Sequence, residues 1–319
     1  MSLFSPSEVS YTSVPLASTG VPTGSVTVPL RADAREPLSY RDVVLETSVS
    51  LGTLGSAKVT VGGPGGYTEV WAGVKGEVEN VEQSAEDASA GAGKVVVSVE
   101  CAPTALSTLR SDFPQHLSSL LTTLFSSSSL PPSFLSQLVV LPRSKSWTLT
   151  ISVLVLSSSG GNVLDLALMA ARAALASTRL PATRPIGLGD DGPGGDIGGK
   201  DAGFSGLVKG GKAGVNAVDF ELLDGGWDEG ERLERWEDLP VGLTLNLINQ
   251  LPHLDATALE ESATASQLIV CFTCKGELCV VKQVGEGEIE LGRLMPLIRE
   301  AGKYSAELLQ VMNSKLQDV

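Results

Sequence analysis

The strongest constraint on the fold is an order of strands and helices that the chain runs through twice. Glycine clusters separate β-rich runs in the first part of the chain, a pattern typical of a meander of strands. An Ala-rich run without Gly or Pro, residues 164–178, then predicts a buried helix. A second set of strands follows, with an amphipathic helix from residue 291 after it. This order predicts an α+β protein with two similar halves, residues 31–182 and 217–319.

The individual segments are predicted from the spacing of their apolar residues. Four leucines at helical spacing predict a helix over residues 114–125. The predicted strands cover residues 43–49, 56–61, 67–78, 95–99, 138–141, 147–156, 241–248, 267–273 and 277–284. With 319 residues, 42% of them hydrophobic, the chain is long enough to bury a sizeable core.

Two segments lack the composition of a packed core. Residues 1–30 are rich in Ser, Thr, Pro and Gly without periodicity, so we expect a flexible N-terminal arm there. Twelve of the twenty-eight residues 187–214 are glycine. Such a segment has too little apolar surface to offset the entropy cost of ordering it. Residues 183–216 are therefore predicted to form a disordered surface insertion.

Charge and cysteine content narrow the classes of function. The formal net charge is −14, and residues 219–238 carry half of it, with nine acidic residues against two arginines. Such a chain is not expected to wrap a phosphate backbone by itself. We expect no metal, because the two isolated histidines cannot complete a zinc site with the cysteines. The cysteines are expected to be reduced and buried: Cys101, Cys271, Cys274 and Cys279.

No apolar run of membrane-spanning length and no signal-like start is present, so we expect a soluble intracellular protein.

Two glycine motifs suggest nucleotide binding, but neither has the right context. Residues 206–213 come close to a P-loop, yet Ala213 replaces the hydroxyl residue that would hold magnesium. Residues 187–192 fit a dinucleotide-binding pattern, yet Pro193 follows where the helix must begin. We therefore expect no cofactor, and a nucleotide-binding regulator that uses the glycine-rich segment is an alternative of a different class.

One acidic cluster lies in the second set of strands. Asp255, Glu260 and Glu261 are close enough in sequence for acid/base or metal chemistry. The competing interpretation is that they cap a turn before the strand at 267–273. His253 precedes Asp255 by two residues, and a pair at a strand end is favoured over a hydrolase site, because no nucleophile elbow is present.

Three segments resemble the ribonuclease PH family in order and spacing, across about three quarters of the chain. The first runs from Arg31-Ala-Asp-Ala-Arg35 to Gly73-Val-Lys-Gly-Glu-Val78. The second runs from Gly160-Gly-Asn162 to Thr178-Arg-Leu-Pro181. The third is Leu254-Asp-Ala-Thr-Ala-Leu-Glu-Glu261. The resemblance implies a ribonuclease PH-like fold, with a β-α-β core like domain 2 of ribosomal protein S5 and a long C-terminal helix.

Within this family the chain is most similar to ring subunits of the RNA exosome, through residues 1–3, 16–19 and 254–261. Active members form a ring of six such domains around a channel and cleave RNA from its 3′ end with inorganic phosphate. The resemblance implies several partners: other ribonuclease PH-like ring subunits, cap subunits with RNA-binding domains, and RNA in the channel. It also implies a location in the nucleus and nucleolus and in the cytoplasm, with roles in rRNA maturation and mRNA turnover.

The chain departs from the active members of the family at two places. Active members follow the Gly-Gly pair with Thr-Arg-Thr or a close variant, whose arginine holds the attacking phosphate. This chain has Asn162 and Val163 there. Active members also place aspartates at the positions of Glu261 and Gln267, and an amide cannot act as a general acid. The departures imply a non-catalytic structural subunit. The alternative is an active phosphate-dependent 3′-to-5′ exoribonuclease whose site is shared with a neighbouring subunit.

Basic residues are the candidates for contact with RNA in the channel. A ring subunit must offer some cations to the phosphates of RNA that passes through. The hypothesised RNA-path residues are Arg35, Arg41, Lys75 and Arg110. For each of them the competing interpretation is a surface or intramolecular ion pair.

Overall fold

The computed structural model describes residues 5–17, 31–63, 66–80, 93–106, 112–142, 144–187, 217–222, 230–248 and 250–317. The strands are β1 (Val43–Thr47), β2 (Gly55–Gly63), β3 (Gly66–Asn80), β4 (Lys94–Cys101), β5 (Val139–Leu141), β6 (Lys145–Ser158), β7 (Arg179–Leu180), β8 (Thr183–Gly187), β9 (Ala217–Leu222), β10 (Glu231–Arg232), β11 (Val241–Ile248), β12 (Leu251–His253), β13 (Ser266–Phe272) and β14 (Leu278–Gly285). The helices are α1 (Pro6–Ala17), α2 (Pro103–Leu106), α3 (Phe113–Leu124), α4 (Pro132–Ser136), α5 (Val163–Ala176), α6 (Ala258–Ser262) and α7 (Leu291–Gln317), with a 3-10 turn at Trp236–Asp238.

The first sheet has six strands in the order β1-β2-β3-β6-β4, with β5 paired to one end of β6. The pairs of the meander are antiparallel, and β4 lies parallel to β6. Side chains alternate along β3, where Val70, Ala72 and Val74 are buried while Lys75 and Glu77 face solvent. This alternation places one face of the sheet on the core, as expected for a half-buried strand.

Helix α5 lies between the two sheets. It contacts β2, β3 and β6 on one side and β11 on the other. All of its residues except Leu164 are buried. Because six of its 14 side chains are alanines, both sheets approach the helix closely. At Gly242 on β11, an added Cβ would lie 2.8 Å from Leu168 Cδ1 of α5.

The second sheet has four strands in the order β12-β11-β13-β14, and all of its pairs are antiparallel. All eight residues of β11 are buried, because α5 covers one face of the sheet and α7 packs on β11 and β13 from the other. Sheet, helix, sheet and helix therefore form four layers, and the apolar residues between them form two core clusters.

The predicted elements are confirmed with small shifts. Every predicted strand and both internal helices are present with bounds within two residues of those expected, and α7 begins at Leu291. The sequence did not reveal the short pairs β7–β10 and β8–β9, the strand β12 or the short helices α2, α4 and α6. In the part of the chain that the structure describes, no helix is long and apolar enough to cross a membrane.

Part of the segment expected to be a flexible N-terminal arm, residues 1–30, forms the helix α1. Ser5 and Glu8 form a capping box: the Ser5 amide donates to Glu8 Oε2 at 2.7 Å, and the Glu8 amide donates to Ser5 Oγ at 3.3 Å. The helix also buries Leu16 to 2% exposure. A composition rich in Ser and Pro hid a short sequence signal that starts a helix.

Two other expectations need correction. Thr183–Gly187, predicted to belong to the disordered insertion, forms the strand β8 and pairs with β9. Residues 188–216 lie outside the described residues. The four cysteines are free, but only Cys271 is buried, and the other three are half-exposed rather than buried.

Replacing Gly55 with Ala is expected to loosen the contact between the first sheet and α5. A Cβ at residue 55 would lie 2.5 Å from the carbonyl oxygen of Ala174 and 2.7 Å from Thr178 Cα, which are backbone atoms that cannot rotate away. We expect a loss of about 2 kcal/mol or more in the free energy of unfolding. Gly62→Ala on the same strand is the matched control, because nothing lies within 4 Å of its Cβ. Equal effects of the two substitutions in urea unfolding would refute this explanation.

Candidate functional site

The carboxylate of Asp255 lies at the centre of a buried polar cluster between the two halves. The residue follows β12 and has a φ of 47°, a left-handed conformation that turns the chain toward α6. Its side chain is fully buried. Thr257 begins α6 with a capping box: its amide donates to Glu260 Oε2 at 2.8 Å, and its hydroxyl accepts from the Glu260 amide. The competing interpretation was that these acidic residues cap a turn before the strand at 267–273, and Glu260 does have a capping role there, at the short helix α6.

Arg41 binds Asp255 through three donors. Its Nε donates to Asp255 Oδ2 at 2.8 Å, its Nη2 donates to Oδ1 at 2.7 Å, and its backbone amide donates to Oδ2 at 2.8 Å. Its Nη1 donates to the carbonyl oxygen of Gly160 at 2.8 Å. A bidentate arginine–carboxylate pair with an additional amide is strongly directional. The guanidinium therefore joins the first half of the chain to both the Gly160 turn and the second half.

Two more arginines bind the same segment. Arg35 donates to Asp255 Oδ2 at 3.1 Å and to Asp33 Oδ2 at 2.6 Å. Arg31 is 1% exposed and forms a bidentate pair with Glu260, at 3.0 and 2.7 Å. Arg31 Nη2 also donates to the carbonyl oxygen of Asp255 at 2.8 Å. Residues 31–41 are thus held against the loop before α6 by three cations.

Asn162 connects this cluster to α5. It caps the helix with a left-handed φ of 55°. Its side-chain Nδ2 donates to Asp255 Oδ1 at 2.8 Å, and its backbone amide donates to Glu261 Oε1 at 2.8 Å. The preceding Gly161 has a φ of 76°, and an added Cβ there would lie 2.4 Å from the Ala258 amide nitrogen. The Gly-Gly turn is therefore needed for α6 to approach the start of α5.

The carboxyl groups of the cluster differ in their pKa values. Burial alone would raise the pKa of Asp255, but the hydrogen bonds and charge of Arg41 outweigh it and hold the pKa below its usual value. Burial raises the pKa of Glu261 to about 7, against the lowering effect of the Asn162 amide. Burial likewise raises the pKa of Asp165 to about 7, although the Thr244 hydroxyl donates to it at 2.6 Å. Of these three carboxyls, Asp255 is therefore the one that is fully ionised at neutral pH.

The four positions where the chain departs from active family members lie in different surroundings. Val163 is 3% exposed in the first turn of α5 and packs in the core. Gln267 lies on β13, where its amide donates to Asn246 Oδ1 at 2.9 Å. Asn162 and Glu261 meet through the hydrogen bond given above. His253 is buried, and its Nδ1 lies 3.0 Å from the carbonyl oxygen of Leu251 in its own strand.

The hypothesised RNA-path residues have different surroundings. Arg35 and Arg41 form intramolecular ion pairs with Asp255, and their side chains are 13% and 6% exposed. Lys75 is exposed on β3. Arg110 lies outside the described residues. The contacts of Arg35 and Arg41 are therefore those of the competing interpretation, an intramolecular ion pair.

The sequence did not single out Asp165 or Thr244, which belong to the same site. Tyr40 Oη lies 3.5 Å from Asp165 Oδ2, which extends the polar cluster toward the start of β1. One signal was available in the sequence. Asp165 is an acidic residue in the first turn of a buried helix whose other residues are apolar except for Arg172, and a buried acid requires polar partners.

Asp255→Asn is expected to destabilise the protein strongly, because it leaves the buried guanidinium of Arg41 without a counter-charge. We expect a loss of about 3 kcal/mol or more in the free energy of unfolding. The control is Asp219→Asn, since Asp219 forms an ion pair of similar length, 2.7 Å, with Lys145, but its side chain is 65% exposed. This control should cost less than about 1 kcal/mol. Urea unfolding of both variants measures the difference, and comparable losses would contradict it.

Asp165→Asn is expected to flatten the pH dependence of stability. Its folded pKa of about 7 lies above the ordinary value of 3.8. Between these values the unfolded chain releases a proton that the folded protein keeps, so this group lowers stability as the pH rises through that window. The wild type should lose stability with rising pH by on the order of 1 kcal/mol per pH unit because of this group, and the variant should lack that loss. The stability of the variant relative to the wild type should therefore be higher at pH 7 than at pH 5. Parallel stability curves for variant and wild type would refute this assignment.

Part of the chain matches a known protein family. Residues 39–181 match the model described as the 3′ exoribonuclease family, domain 1. The exosome complex component Rrp42 of Sulfurisphaera tokodaii is 35% identical over 154 residues, which cover 48% of this chain and 53% of that protein. A putative exosome complex exonuclease RRP42 of Dictyostelium discoideum is 21% identical over 91% of this chain and 94% of that protein. The chain thus spans about half the length of the first relative and nearly all of the second.

Solved structures show the same fold. A chain of the Archaeoglobus fulgidus exosome with RNA bound to the active site aligns with a TM-score of 0.63 and 20% identity, over 88% of this chain and 91% of that one. A chain of an archaeal exosome core aligns with a TM-score of 0.62 and 19% identity, over 89% and 91%. The resemblance in the sequence was, within the family, to ribosomal-RNA-processing protein forty-two, the name that both curated relatives carry. Residues 39–181 therefore match domain 1 of the 3′ exoribonuclease family, the RNase PH domain, and the described part of the chain has an RNase PH-like fold.

Proposed function

We propose that this chain is a non-catalytic structural subunit of an RNA exosome ring, which supports 3′-to-5′ RNA processing and degradation by scaffolding the ring and lining its RNA channel. The names of both curated relatives support the exosome assignment. The fold supports it as well, because chains of two archaeal exosome structures align over most of their length. rRNA maturation and mRNA turnover are the processes that such a ring would serve.

The observation that carries the non-catalytic part of the proposal is the binding of Arg41 inside the protein. Its guanidinium donates its hydrogen bonds to Asp255 and to the carbonyl oxygen of Gly160, at the turn before α5. An attacking phosphate needs a cation free to bind it. The residues after the Gly160-Gly161 turn supply no such cation, because Asn162 is neutral and Val163 packs in the core. At the position of Gln267 a neutral amide replaces a proton donor.

The partners in this proposal are other ribonuclease PH-like ring subunits, cap subunits with RNA-binding domains, and RNA. Lys75 is the exposed cation among the described RNA-path candidates, and its contact with RNA phosphates is part of the proposal. The subunit would be found in the nucleus and nucleolus and also in the cytoplasm. A fluorescent fusion that stayed outside the nucleus would contradict that location.

Co-expression with the other ring subunits tests the proposal. We expect this chain to enter a six-membered ring, measured as mass by light scattering. Phosphate-dependent release of nucleoside diphosphates from RNA should be absent from the purified chain. In the assembled ring, Glu261→Ala and Gln267→Ala should leave any such activity unchanged, because neither side chain takes part in the reaction.

The outcomes separate the proposal from its main alternative. Loss of the phosphate-dependent activity in the ring that carries Glu261→Ala would overturn the scaffold role and support a catalytic site shared between neighbours. Glu261→Gln serves as the matched control, because it keeps the shape of the side chain and removes the charge. Failure of the chain to join any ring would remove the exosome assignment itself.

A further inference from the structure

The strand β14 forms an open edge of the second sheet. It pairs with β13 on one side and, within the residues that the structure describes, has no strand on the other. Helix α7 packs on β11 and β13, and α5 packs on β11. The outward N–H and C=O groups of an edge strand are unpaired, which makes the edge a template for another strand.

The other strands at the ends of the first and second sheets offer less to a partner. β12 has three residues and β1 has five, whereas β4 and β14 have eight each. Helix α3 packs on β4, and its Ser118 hydroxyl donates to the carbonyl oxygen of Val97 at 3.1 Å. An eight-residue strand spans about 26 Å, which is long enough for a ladder of several hydrogen bonds. β14 is therefore the longest edge that is not covered in this way.

The side chains of β14 suit an apolar partner strand. Leu278 is 47% exposed and Val281 is 39% exposed. Their cross-strand neighbours, Phe272 and Val270, belong to the core cluster under α7, so the apolar surface of that cluster continues to the edge. Lys282 is the single charged side chain of the strand. An added strand covers Leu278 and Val281 with its own alternate side chains.

An acidic run follows the open strand. Glu286, Glu288 and Glu290 are exposed, and no ion pair in the described part of the chain includes them. These carboxylates repel phosphates and so disfavour RNA at this edge. The net charge of −14 likewise disfavours a second copy of the chain. The charge instead fits a partner strand that carries lysines or arginines at the end beside Gly285.

We propose that β14 is a docking edge for an extended, basic segment of another protein. The segment adds to the second sheet as an antiparallel strand, and its cations lie beside Glu286, Glu288 and Glu290. The direction follows from the sheet, in which all pairs are antiparallel. An antiparallel strand starts where β14 ends, so the cations belong at its amino-terminal end. Main-chain hydrogen bonds supply affinity, and the charges set direction and register. This inference goes beyond the proposed ring role and does not rest on it.

The test measures binding of synthetic peptides to the full-length chain by fluorescence anisotropy. The probe peptide has a short run of lysines followed by about eight residues of alternating Thr and Val. One comparison peptide carries the lysines at its carboxyl end, and another has Pro at its centre, which removes a donor from the ladder. The probe should bind about fivefold or more tightly than either at low salt. Hydrogen exchange should show new protection of residues 278–285 with the probe.

Charge reversal tests the acidic run. The double variant Glu286→Lys, Glu288→Lys should weaken probe binding about fivefold or more at low salt, and the difference should shrink at about 1 M salt, which screens the charges. The matched control is Glu77→Lys, Glu79→Lys, which changes the net charge equally at exposed residues of β3 in the first sheet. This control should change probe binding by less than about twofold.

Equal binding of the three peptides would overturn the inference, as would probe binding without protection of residues 278–285. An equal loss of affinity in the two charge-reversal variants would overturn it too. A dimer of the chain with β14 protected, measured as mass by light scattering, would assign the edge to a second copy instead. Loss of probe binding in the assembled ring would assign it to a ring neighbour, and protection of residues 278–285 by single-stranded RNA would assign it to RNA.

Discussion

The buried ion pair between Arg41 and Asp255 is the interaction on which the arrangement of the two halves depends. Taking both charges out of water is costly, and the attraction between them offsets this cost only when the remaining donors and acceptors are also satisfied. Here they are satisfied from three directions: by the Arg41 backbone amide, by the Gly160 carbonyl and by the Asn162 side chain. One carboxylate thus fixes the start of β1, the turn before α5 and the loop before α6 relative to one another.

The charges around this pair are balanced within a small volume. Three arginines, at positions 31, 35 and 41, face the carboxylates of Asp33, Asp255 and Glu260. Two further carboxyls, Asp165 and Glu261, have pKa values of about 7 and take up protons near neutral pH. Protonation of these two carboxyls prevents an excess of negative charge in a region without solvent. The cluster of these arginines and carboxyls is therefore a stable polar joint between the two halves, and it is not an open binding site for ions.

The sequence predicts the layers of this fold better than it predicts the joint between them. Strands such as β3 and the helix α5 follow from local periodicity, which needs only neighbouring residues. The pairing of Arg31 with Glu260 spans 229 positions, and no local pattern encodes it. The same limit applies to Arg41, which as a lone cation in the sequence suggests RNA contact as readily as a buried pair. Helix α1 was missed for a different reason, because composition was given more weight than its capping box.

The joint and a phosphate-binding site make incompatible demands on the same donors. A guanidinium that holds a carboxylate with two hydrogen bonds cannot also present those donors to a phosphate. The same applies to the Asn162 amide, which can bind Glu261 or an outside anion but not both at full strength. A chain that uses these donors to hold its halves together therefore gains a fixed geometry, and the same donors are not free to bind an outside anion. For a subunit whose proposed task is to keep the shape of a ring, a rigid joint at the contact of its two halves is the more useful property.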